Sequence, residues 1–93
     1  ESILPYFKKS ENYELGESRY HGAGGELKVT RLKNQNPVPA AAIEAAVQAG
    51  FGRTDDFNGE QILGAGWCDV TIADGKRQST AVAFLHPVLD RDN

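Results

Sequence analysis

The sequence predicts an α+β fold, a small antiparallel sheet with two or three helices, and three segments carry that expectation. In ELKVT, Leu27 and Val29 alternate with Glu26, Lys28 and Thr30 in the period of a half-buried strand. AAAIEAAVQAG, residues 40–50, is built on alanine, the strongest intrinsic helix former, and stops at Gly50. WCDVTIADGKRQ, residues 67–78, reads as a hairpin whose turn is the left-handed pair Asp74 and Gly75. Each element has one apolar face and must bury it on another. The helix around Ile43, Ala46 and Val47 is therefore expected to pack across a sheet that includes Leu27 to Val29 and Cys68 to Ile72.

Taken in order, Ile3, Leu4 and Phe7 fall on one face of a short opening helix. Pro5 fits only in a first turn, so that helix is expected to start at or just before Glu1. Residues 11–25 are polar and contain glycine, and they read as loop. After the strand at 26–30, Pro37 and Pro39 stop extended structure, and Pro39 is placed to open the alanine-rich helix. Residues 51–66 carry Gly52, Gly59, Gly64 and Gly66 among polar side chains and read as a long ordered loop. In the hairpin, Cys68, Val70 and Ile72 share one strand face, so the thiol is expected to be packed. Ser79 or Thr80 can cap a last helix through Ala81, Phe84 and Leu85, which Pro87 breaks or restarts.

Composition limits the possibilities further. Ninety-three residues allow a single, partial domain, and only 21 of them are Leu, Ile, Val or Phe, so the core must be thin. Ten basic against 13 acidic residues leave a net charge of −3, which lacks the field that nucleic acid or an anionic membrane surface requires. No apolar run reaches the length of a membrane span, and a single cysteine fits a reducing, cytoplasmic setting better than a secreted disulfide framework. With no methionine and Glu1 in first place, the chain is expected to be cut from a longer polypeptide.

Residues able to do chemistry are few. YHGAGG, residues 20–25, looks like a phosphate loop, but it leads into a strand rather than opening a helix, which makes it a structural turn. Thr54 to Ala65 places Asp56, Asn58 and Gly59 as a calcium loop would. Yet Thr54 and Ala65 stand where its first carboxylate and its bidentate glutamate belong, so Asp55, Asp56 and Asn58 are expected to make turn bonds or to pair with Arg53. Cys68, Ser79, His21 and His86 are raw material for nucleophilic catalysis without a local arrangement that assembles it. No residue of this chain is assigned a catalytic, cofactor-binding or metal-binding role.

Several segments together resemble one family. LPYFKKSEN (4–12), YHGAGG (20–25), Asn36 with Pro37 followed by IEAAVQAGF (43–51), RTDDFNG (53–59) and GKRQSTAVAFLHP (75–87) occur in this order in the glucose-methanol-choline (GMC) oxidoreductases. The likeness is strongest to members that dehydrogenate choline and similar alcohols, and it covers essentially the whole chain. It implies a parent flavoenzyme that moves hydride from a CH–OH donor to FAD, with this segment a non-catalytic part of the substrate domain. The glycine fingerprint for FAD and the late histidine pair of the family have no counterpart here, so the isolated segment is expected to hold no flavin. Asp90 to Asn93, DRDN, departs from the family's usual Arg-Pro-Asn at that junction. The implied partners are the rest of the parent enzyme, its small alcohol substrate and, through uncovered edges, a second copy of the segment. From residues alone, a small independent binding or interaction module remains the other reading.

Overall fold

The computed structural model describes residues 3–92. Its contacts form two compact units, one of Glu1–Thr30 with Val70–Asn93 and one of Arg31–Asp69.

In the first unit, α1 spans Leu4–Ser10, with Ile3 at its N-cap and Pro5 in its first turn, where the missing N–H has no helical partner to lose. The start anticipated at Glu1 lies outside the described residues. Lys8 and Lys9 occupy the last turn, where cations complement the helix dipole. At Glu11 the backbone becomes extended and enters β1, Glu11–Tyr13. This strand corrects the reading of 11–25 as loop. Tyr13 is the only apolar residue in it, and three residues carry no period to read. β1 pairs with β2, Leu27–Val29, in parallel, placing Glu11 opposite Leu27 and Tyr13 opposite Val29. Residues 14–26 supply the dozen or so residues that a parallel connection needs. Within β2 the expected alternation holds, with Leu27 and Val29 half-buried and Lys28 exposed.

The antiparallel sheet proposed to join residues 27–29 with 68–72 is reduced to one pair. Thr30 and Val70 exchange both backbone hydrogen bonds at 2.9 Å. Beyond it, β3 (Ile72–Ala73) and β4 (Lys76–Arg77) form an antiparallel hairpin on the anticipated turn, with φ of 52° at Asp74 and 71° at Gly75. Gln78 extends the hairpin by donating its N–H to the Thr71 carbonyl at 2.9 Å, while its Oε1 accepts from the Lys28 N–H of β2 at 2.6 Å. A side chain thus serves β2 where a strand neighbour would otherwise stand. Ser79 Oγ accepts from the Val82 N–H, the anticipated cap, and Ala81–Leu85 follows as a π-helical segment. The His86 N–H reaches back to the Ala81 carbonyl and Pro87 brings no N–H of its own, so the coil widens and then tightens into a 3-10 turn at His86–Val88.

In the second unit, α2 spans Pro37–Gln48. Asn36 is its N-cap, with Oδ1 accepting from the Val38 N–H at 2.9 Å, so Pro37, not Pro39, opens the helix. Pro39 is tolerated because its position is still among the first-turn amides that have no helical acceptor. At the far end Gly50 has a φ of 96°, and the Phe51 N–H closes on the Ala46 carbonyl. Asn36→Ala should lower stability by about 1 kcal/mol, read as a shift of the urea midpoint at constant slope. Ile43, Ala46 and Val47 are half-buried on one face, as their spacing indicates. α2 and β2 belong to different units, so the helix-on-sheet core is not the packing within either.

Among the described residues those buried as a whole and carrying a side chain are few: Tyr13, His21 and Ala83 in the first unit, Thr54 in the second. Large apolar side chains lie outside, among them Tyr6 at 74%, Phe7 at 65% and Leu63 at 81% exposure. The thin core expected from composition is what the fold shows. None of the described helices is long and apolar enough to cross a membrane.

Candidate functional site

The most constructed polar arrangement lies where α1 hands over to β1. His21 is 3% exposed, and its ring stacks on Tyr13 with centroids 3.9 Å apart and planes inclined by 17°. Its Nδ1 lies 2.9 Å and 3.1 Å from the two carboxylate oxygens of Glu11. An ionised carboxylate only accepts, so Nδ1 carries the proton and donates it to this bond. Glu11 Oε2 also accepts from the Gly22 N–H at 2.9 Å. Backbone bonds surround the cluster: the Tyr13 N–H donates to the Gly22 carbonyl at 2.9 Å, and the Gly25 N–H to the Glu11 carbonyl at 2.8 Å. Ser18 closes the approach to His21, its N–H donating to the His21 carbonyl and its Oγ accepting from the His21 N–H, both at 3.1 Å.

Such a histidine is oriented, stacked and buried, which suits it to hold a loop. His21 makes hydrogen bonds of the structural kind expected of it. Its partner Glu11 was not foreseeable, because ten residues of aperiodic sequence separate the two and only the fold brings them together.

The other anticipated residues are dispersed. His86 is exposed and contributes its backbone to the turn beneath it. Ser79 is a cap. Cys68 is exposed, which corrects the packed thiol. Beyond the single Thr30–Val70 bridge no ladder forms here before Ile72, and Trp67, Asp69 and Val70 are half-buried while Cys68 is not. The Asp69 side chain is 6% exposed and lies 3.6 Å from Arg31 Nε. The folded segment should therefore react fully with a thiol reagent, checked by mass spectrometry without denaturant. A protected thiol would return Cys68 to the core.

In the 51–66 loop, Arg53 pairs with Glu44 on α2 rather than with Asp55 or Asp56. Asp56 makes the expected turn, its Oδ1 accepting from the Asn58 N–H at 2.8 Å. The residue that organises the loop is Thr54, which is 5% exposed and donates its hydroxyl to the Gln61 carbonyl at 2.7 Å. Arg31 braces the same loop from Nη1 to the Asp55 carbonyl at 2.6 Å. Among the described residues no group of three or more His, Cys, Asp or Glu is placed to hold a metal ion.

A family model described as GMC oxidoreductase, that of the family's N-terminal region, matches residues 1–93. The chain belongs to the GMC oxidoreductase family. It is 53% identical over 90 residues to human mitochondrial choline dehydrogenase, covering 97% of this chain and 15% of that protein. It is 47% identical over 91 residues to oxygen-dependent choline dehydrogenase of Brucella ovis, covering 98% and 17%. The crystal structure of pyridoxine 4-oxidase from Mesorbium loti superposes with a TM-score of 0.82 at 30% identity, over 96% of this chain and 18% of that one. The chain thus spans about a sixth of the length of these curated GMC relatives.

The GMC family implies FAD, and the glycine turn is where its pyrophosphate would be sought. A dinucleotide phosphate needs open glycines with free amides. Here the Gly22 and Gly25 amides already bond to Glu11, and the sites that Cβ atoms would take on these glycines are filled by the backbone of Lys8 and Ser10. The turn does not fit the pyrophosphate.

Proposed function

We propose that this chain is a structural segment of the substrate domain of a GMC flavoenzyme that oxidises choline or a similar alcohol. The observation that carries the reading is 53% identity to a choline dehydrogenase across 97% of the chain. In such an enzyme the flavin accepts hydride from the alcohol carbon, and the protein contributes binding, orientation and electrostatics. The share of these 93 residues is shape. Their buried polar groups, His21 and Thr54, and the partly buried Glu11 make bonds to the chain itself. Their exposed apolar side chains, Ile3 at the N-cap of α1, Tyr6 and Phe7 on it, and Phe84 and Leu85 near the C-terminus, are surface for the rest of the enzyme to cover.

The test is anaerobic mixing of the full-length enzyme with choline and with uncharged alcohols of equal size. Choline should bleach the oxidised flavin band, and His86→Ala and Ser79→Ala should leave the rate of bleaching within about twofold. No bleaching by choline would remove the substrate class. A hundredfold loss in either variant would place chemistry in this segment.

A further inference from the structure

We infer that the glycine turn after β1 is a working anion site whose ligand is the chain's own Glu11 carboxylate, and that it will take a small free carboxylate when that side chain is removed. Three features build it. The Gly22 N–H points at Oε2 from 2.9 Å, and the Nδ1–H of His21 spans both oxygens at 2.9 Å and 3.1 Å. The imidazole cannot turn away, because it is stacked on Tyr13 and 3% exposed. The turn itself is held independently of the carboxylate by backbone bonds from Tyr13 to Gly22, from Gly25 to Glu11 and from Ser18 to His21.

Backbone and ring N–H groups converging on one carboxylate are how proteins bind phosphate and carboxylate ligands. In this site the anion arrives tethered, with its side chain 17% exposed. An attached ligand is present at high effective concentration, so it excludes free anions of ordinary affinity. Deleting it leaves two oriented donors around a space the size of a carboxylate, and unsatisfied buried donors favour any acceptor that fits. Formate and acetate have the required planar pair of oxygens.

The experiment compares the full-length polypeptide that carries this segment with its Glu11→Ala variant by hydrogen-exchange mass spectrometry of the peptide covering residues 11–25. Exchange in the variant should be at least about tenfold faster, equivalent to 1.4 kcal/mol of lost protection. Formate should restore the slow exchange saturably, and sodium chloride at equal ionic strength should not. Wild type should respond to neither formate nor phosphate beyond the chloride control. Unchanged exchange in Glu11→Ala, equal effects of formate and chloride, or specific phosphate protection of wild type would each overturn the inference. If Glu11→Ala does not fold, Glu11→Gln decides. Its amide fills the space but replaces one of the two acceptor oxygens with an NH2 donor and carries no charge, so exchange should rise and formate should have no effect, whereas wild-type exchange would overturn the inference.

Discussion

Gly22→Ala is expected to destabilise the first unit by at least about 3 kcal/mol, the upper range of overpacking into closed structure. A Cβ at this position would lie inside the van der Waals envelope of the Lys8 carbonyl, and the atoms met are helix backbone, which cannot swing aside as a side chain would. The same displacement would draw the Gly22 N–H from Glu11 and its carbonyl from the Tyr13 N–H, so the steric cost and two lost hydrogen bonds fall together. Gly24→Ala is the control within the same turn. A Cβ there meets nothing within 4 Å, so its urea midpoint should stay near wild type. Equal midpoints for the two variants would show that α1 does not approach the turn as closely as the structure has it.

His21→Ala is expected to cost about 3 kcal/mol, as breaking a buried pair from one side usually does. Two effects combine. The Glu11 carboxylate loses the donor that spans both its oxygens, and Tyr13 loses the ring stacked on it at 3.9 Å. His86→Ala removes an exposed imidazole and should change stability by no more than about 0.5 kcal/mol. Urea denaturation followed by tyrosine fluorescence or circular dichroism separates them. Similar small losses for both histidines would mean that the His21 cluster contributes little to holding the unit together.

Local chemistry alone determined several features of this GMC segment. Alanine-rich composition with Gly50 defined α2 and its stop, two positive-φ residues at Asp74 and Gly75 defined the hairpin turn, and Leu27 and Val29 showed the alternation of β2. Each rests on interactions within a few residues, and those are written in the order of the chain. Family membership was recoverable for a related reason, since ordered words along a chain do not depend on how it folds.

Tertiary structure decided the rest. The strand Glu11–Tyr13 exists because β2 lies beside it and His21 stacks on Tyr13, not because three polar-rich residues prefer extension. Parallel pairing, the exposure of Cys68 and the inward Asp69 depend on which neighbours the chain finds at long range. Most telling are the glycines of YHGAGG. Sequence shows that a Cβ is missing from such a run but not which atoms fill the space. Here the backbone of Lys8 and Ser10 fills it, and the nearby anion is Glu11, because a carboxylate eleven residues before Gly22 is brought within hydrogen-bond reach only when α1, β1 and the turn have packed.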